Sequence, residues 1–131
     1  MLDVDSEIDR IQTTMLRALA SPHRIRIIHA LGRGTREVGE LAADMGMGQA
    51  TLSQHLAALR AVGLVEARRD GRRVRYELVD QDVLAACLVM RTVIVRRLSA
   101  LGNLAAAASR IPVPFESRGD RPVGEAQVTA R

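Results

Sequence analysis

The sequence predicts a mainly α-helical fold carrying one small β-hairpin, on three observations. Apolar residues recur at helical spacing in several separate stretches, whereas residues 65–78 switch to alternation around Asp70-Gly71. Aromatic residues make up only 2% of the 131-residue chain, with no Trp, so the core must come from Leu, Val, Ile, Ala and Met. That composition suits packed helices better than an aromatic-rich sandwich. The length fits one compact domain with tails.

Ile8, Ile11, Met15 and Leu19 form one stripe, which places a first amphipathic helix at about residues 6–19, its acidic opening suited to a helix N-terminus. Ser21-Pro22 offers a capping hydroxyl followed by proline at the first helical position, where a missing N–H costs nothing. A second helix then runs through Leu31 and stops at Gly32 and Gly34. Val38, Leu41, Ala42 and Met45 share one face of a third helix over 37–45, ended by Gly46. Three residues on, a fourth helix over 49–62 aligns Leu52, Leu56, Leu59 and Val62 and closes at Gly63. Two short helices joined by a tight glycine-containing turn are a helix-turn-helix.

Val65 and Ala67 alternate before Asp70-Gly71, and Val74, Tyr76 and Leu78 after it; Asp-Gly is a strong two-residue hairpin turn signal. With that loop Val65 faces Tyr76, Ala67 faces Val74, Glu66 faces Arg75 and Arg68 faces Arg73, one side apolar and the other charged. A helix-turn-helix followed by such a ribbon is a winged helix-turn-helix. Asp80 or Asp82 caps a final long helix, apolar over 83–95 apart from Arg91 and Thr92 and extended by Leu98, Leu101 and Leu104. A helix apolar on nearly every side needs more cover than one small domain supplies, so a second copy is expected to provide it. Residues 1–110 are expected to form one winged helix-turn-helix domain that also pairs two copies. Residues 111–131, which hold three of the four prolines and few apolar residues, are expected to form a flexible tail.

All 19 basic residues are Arg, against 15 acids, and the net charge of +4 points toward a polyanionic partner. The excess is focused: Arg68, Arg69, Arg72, Arg73 and Arg75 crowd into eight residues in which Asp70 is the only acid. On the fourth helix, burying Leu52, Leu56 and Leu59 turns Ala50, Ser53, Gln54, Ala57 and Ala58 outward. Small uncharged residues permit close approach to the major groove of duplex DNA. Gln54 and Ser53 can hydrogen-bond base edges there, with Gln49, Thr51 and His55 beside them near the phosphates. The arginine ribbon suits the sugar-phosphate backbone or the minor groove, since guanidinium forks bind phosphate oxygens in pairs. The rival use of the same ribbon is contact with an acidic protein.

A single cysteine, Cys87, excludes an internal disulfide framework and any zinc site built from several thiolates of one chain. No leader pattern opens the sequence, and the longest apolar run, 83–90, falls far short of the ~18 residues of a membrane span. A cytoplasmic protein without a membrane partner is expected. No nucleophile, base and orienting group come together for catalysis, and no cofactor is expected. Among Ala86, Leu88 and Val89, Cys87 reads as a small buried hydrophobe; the alternative is a redox-responsive thiol. His23 and His29, six residues apart, do not share a helix face for a metal.

The runs LRALASPHRIRIIHALGRG and VGELAADMGMGQATLSQHLAALRAVGLVEARRDGRRVRYEL closely resemble the ArsR/SmtB family of winged-helix regulators, a similarity covering residues 15–98. The resemblance implies a homodimer paired through its first and last helices. Here these contribute Ile8, Ile11 and Met15, and Leu84, Leu88, Val95 and Leu98. It also implies a repressor of transcription that binds an operator of imperfect two-fold symmetry and is released by an effector. It places DNA contacts at Gln49, Thr51, Ser53, Gln54 and His55 and on the wing. Many such regulators sense metals through a Cys-x-Cys pair before the Glu-Leu of the third helix, where this chain has Glu37 and Gly39. A second family site uses Asp and His along the last helix; Asp80 and Asp82 are present, but no His follows His55. Metal sensing at those two sites is not expected.

Overall fold

The computed structural model describes residues 3–108. In chain order the elements are α1 (Val4–Leu19), α2 (Pro22–Gly32), β1 (Arg36–Glu37), α3 (Val38–Met45), α4 (Gln49–Ala61), β2 (Val65–Asp70), β3 (Arg73–Leu78) and α5 (Asp82–Ala108). The chain divides into two compact units, the first ending at Cys87 and the second beginning at Leu88. The expected tail, 111–131, lies outside the described residues.

Local chemistry sets the boundaries. The Asp3 carboxylate accepts from the Asp5 amide, so α1 opens at Val4 rather than near Ser6. Ser21 Oγ accepts from the Arg24 amide and Pro22 takes the first helical position, as expected from the Ser-Pro pair. At the end of α3, Gly46 turns left-handed (φ 62°) and the Met47 amide donates back to the Ala42 carbonyl at 3.0 Å. That six-residue closure satisfies carbonyls the helix would leave open.

The core of the first unit joins Ile27, Ile28 and Leu31 of α2, Leu41 of α3 and Leu52, Leu56 and Leu59 of α4, each at most 1% exposed. Leu64, Val65 and Leu78 seal it from the ribbon side, and Met15, Leu19, Val83, Leu84 and Cys87 pack around it half-buried. Fully burying one such side chain stabilises the fold by about 1.5–3 kcal/mol. Gly32 ends α2 against Leu84. A Cβ there would stand 3.1 Å from Leu84 Cγ and closer still to Cδ2. Gly32→Ala is expected to lower stability by about 1–3 kcal/mol through this overpacking, read as a fall in melting temperature. An unchanged melt would show that Leu84 swings clear.

Three strands form one antiparallel sheet in the order β1-β3-β2. Two features differ from expectation. The short β1, which pairs Arg36 with Tyr76 and Glu37 with Arg75, had no sequence signal. The hairpin register is shifted by two residues, with Val65 opposite Leu78, Ala67 opposite Tyr76, Glu66 opposite Glu77, Arg68 opposite Arg75 and Asp70 opposite Arg73. Asp70 thus stays in the ladder and the loop is Gly71-Arg72, with Gly71 at φ 64°. This register sets Leu78 directly against Val65, both buried, whereas the expected one would carry Leu78 past the strand end. A shift of two leaves every side chain on its expected face, because strand side chains alternate with a period of two.

In the second unit Thr92 Oγ1 donates to the Leu88 carbonyl one turn back, and Leu88, Val89, Met90, Val93 and Val95 stand exposed. No helix among the described residues is long and apolar enough to cross a membrane.

Candidate nucleic-acid interface

Helix α4 is fixed from behind by its three buried leucines, so its remaining faces are set without choice. Ala50, Ser53, Gln54 and Ala57 are exposed, as are Gln49 and Thr51; Ala58, expected outward, is half-buried. The Gln49 amide lies over Gly39 of α3, its Nε2 3.5 Å from where a Cβ on residue 39 would stand. Over residues 50–57 the exposed strip is narrow, uncharged and made of small side chains around Gln54, and the exposed Arg60 follows in the last turn. Such a surface admits an approaching base edge without desolvating a charge.

His55 differs from its neighbours. It is half-buried, its Nδ1 accepts from Arg24 Nε at 3.2 Å, and its ring lies 5.6 Å from that of His23. Burial chiefly, then the positive charge of Arg24 and the neighbouring His23, pushes the His55 pKa below its ordinary value. The sequence placed His55 near phosphates but gave no sign that Arg24 holds it.

The ribbon of β2 and β3 exposes all five arginines. Its charge is less one-sided than the sequence reading, which counted only Asp70 against them. Glu66 and Glu77 stand directly opposite each other, and Arg68 Nη2 bridges them at 3.9 Å and 2.8 Å. Arg73 Nε lies 3.5 Å from Glu37 Oε1 on β1. The shielded Oε1 atoms of Glu37 and Glu77 meet no donor at hydrogen-bonding angles among the described residues, so both contacts are electrostatic more than directional. Each of these two pairs joins an exposed guanidinium to a half-buried carboxylate; a surface pair contributes about 0–1 kcal/mol, and the guanidinium side remains open to a phosphate. Arg69, Arg72 and Arg75 form no ion pair among the described residues, and Arg72 occupies the loop.

Helix-turn-helix and ribbon therefore stand in one packed unit, in the order and with the strand pairing of a wing. The profile of the family described as "Bacterial regulatory protein, arsR family" matches residues 21–67. An uncharacterised HTH-type transcriptional regulator of Mycobacterium tuberculosis is 40% identical over 91 residues, which cover 69% of this chain and 80% of that one. The chain belongs to the ArsR family. Among solved structures, the homodimeric winged helix-turn-helix DNA-binding domain of a Mycobacterium bovis protein aligns at a TM-score of 0.70 and 32% identity, covering 76% of this chain and 93% of that one. The transcriptional repressor BigR from Xylella fastidiosa aligns at 0.60 and 33% identity, covering 71% and 96%.

This ArsR-family protein is a transcriptional regulator with a winged helix-turn-helix. Of the residues expected at a dimer interface, Ile8 and Ile11 are exposed on α1, and Leu88 and Val95 are exposed on α5. Leu98 is half-buried, and Met15 and Leu84 are partly engaged by the chain's own core. Cys87 packs half-buried against that core, and burial pushes its thiol pKa up, away from the thiolate that redox chemistry needs. Among the described residues no group of three or more His, Cys, Asp or Glu is placed to hold a metal ion.

Proposed function

We propose that this ArsR-family regulator is a cytoplasmic homodimeric repressor that grips an operator of imperfect two-fold symmetry, each copy inserting α4 into the major groove and laying its wing on the flanking backbone. The observation that carries this reading is the contrast between neighbouring surfaces of one packed unit: an uncharged strip on α4 and five exposed arginines on the ribbon. The two surfaces suit different parts of a duplex, the first base edges and the second phosphates. In this reading Gln54 and Ser53 read bases, and Gln49, Thr51 and His55 stand beside them. Arg68, Arg69, Arg72, Arg73 and Arg75 bind phosphate. The protein acts by binding rather than by catalysis, and an effector outside the two familiar metal positions releases it.

Ile8, Ile11 and Met15 on α1, and Leu84, Leu88, Val95 and Leu98 on α5, are assigned to the dimer. Apolar side chains as exposed as Ile8 and Leu88 are stabilised when a second copy covers them. An acidic protein as the wing's partner would not use the uncharged strip of α4.

The test is a mobility-shift titration of duplex and single-stranded fragments across salt concentrations, with operator fragments selected from genomic DNA by the protein itself. Salt-sensitive binding to duplex supports the proposal, and indifference to duplex at low ionic strength overturns it. Gln54→Ala is expected to cut the preference for the selected site over random duplex by about 1–3 kcal/mol while leaving the salt slope unchanged. Equal weakening on both duplexes would remove Gln54 from base reading.

A further inference from the structure

Arg24 lies in the first turn of α2, and its guanidinium reaches two other helices. Nη1 donates to the Ala18 carbonyl of α1 at 3.2 Å, and Nε donates to His55 Nδ1 of α4 at 3.2 Å. A guanidinium offers only donors and keeps its protons throughout the physiological range. The bond therefore requires a lone pair on Nδ1 of His55. A neutral imidazole with its acceptor at Nδ1 carries its hydrogen on Nε2. His23, whose ring stands 5.6 Å from that of His55, belongs to the same helix turn as Arg24.

We propose that Arg24 is a positioning residue for DNA recognition, holding His55 as the uncharged Nε2–H tautomer so that α4 presents a fixed hydrogen-bond donor beside its base-reading strip. The proposal rests on α4 being the element that meets DNA. A donor suits either a phosphate oxygen or a purine N7, whereas the opposite tautomer would turn a lone pair toward those acceptors and be repelled. Burial and the charge of Arg24 both disfavour the imidazolium, so the same contact keeps a positive charge off the helix. His55 then contributes to affinity without contributing to counterion release, in contrast to the wing arginines.

The wild-type protein supplies the first test: long-range proton–nitrogen NMR of the imidazoles at pH 7, free and bound to its selected duplex. A hydrogen on Nε2 of His55 in both states supports the proposal, and a hydrogen on Nδ1 or a charged ring overturns it. The second test titrates duplex with His55→Ala, Arg24→Ala and the double variant, each first shown to melt cooperatively. Each single change is expected to weaken binding about tenfold, the double change no more than either alone, and the slope of log affinity on log salt to stay at the wild-type value. Unaltered affinity of His55→Ala, or a slope reduced as for a lost phosphate cation, overturns the proposal while wild-type duplex binding stands. A wild-type protein that ignores duplex overturns the DNA reading and this proposal together. If Arg24→Ala fails to fold because the Ala18 contact is lost, the NMR result and the His55→Ala slope decide alone.

Discussion

Replacing Arg68, Arg72 and Arg73 together by alanine is expected to weaken binding to every duplex, selected or random, by about a hundredfold or more at physiological salt. Each phosphate contact releases a counterion, so each arginine lost flattens the slope of log affinity on log salt by about 0.9 per copy of the protein. The three are not equivalent. Arg72 stands in the loop without an ion-pair partner among the described residues, whereas Arg68 is held 2.8 Å from Glu77 and Arg73 lies 3.5 Å from Glu37. Single changes are therefore expected to rank Arg72→Ala as most damaging, because the other two first give up a carboxylate. Removing Arg68 also leaves Glu66 facing Glu77 with no cation between them, a like-charge pair that costs about 0.2–1 kcal/mol of stability. Melting curves measured beside the titrations separate that cost from lost binding. Affinities that fall for the selected site alone, with the salt slope intact, would show that the wing reads sequence instead of holding the backbone.

The double change Ile8→Asp with Ile11→Asp is expected to leave a folded protein of half the wild-type mass in light scattering, with operator affinity reduced about 10²–10⁴-fold. Both side chains are about half exposed and neither belongs to the buried core, whereas near the other end of α1 Ala18 is buried and Met15 and Leu19 pack against that core. Folding of one copy should therefore survive. Two linked half-sites gain from high effective concentration, and that gain disappears when the copies part. Leu16, exposed but well round the helix from the Ile8 and Ile11 stripe, gives the control: Leu16→Asp should keep the wild-type mass. A double variant that retains its mass would move the interface off α1.

The parts of this fold that were legible in the sequence are those governed by near neighbours. Ser21-Pro22, the glycines at 46 and 63, and the leucine stripe of α4 each act within a turn or two of the chain, and the helices they delimit stand within a residue or two of expectation. The ribbon's faces were legible for the same reason, but its register was not. Asp70-Gly71 as a central turn pair competed with the pairing of Val65 and Leu78, and burial of that pair prevailed. The two-residue β1 escaped because its pairing runs through backbone groups that carry no side-chain signature.

The site was legible as composition more than as contacts. The positions of Gln54, Ser53 and the five arginines followed from helix and strand periodicity. The hydrogen bond between Arg24 and His55 spans 31 residues, and nothing in local spacing announces it. The carboxylates Glu66, Glu77 and Glu37 were visible as letters, yet only the fold brings them against Arg68 and Arg73.

That interleaving of acids and guanidinium groups bears on how an encounter proceeds. At 0.15 M salt a charge is felt over about 8 Å, and beyond that range Glu66, Asp70 and Glu77 offset three of the ribbon's five arginines. Long-range steering is weakened in proportion, so the gain in arrival rate is smaller than five unopposed arginines would give. Only at touching distance do individual guanidinium groups exchange carboxylate for phosphate. Ionic strength then governs how long a complex survives as well as how fast it forms, because phosphates exchanged for carboxylates at touching distance hold the regulator once it has arrived.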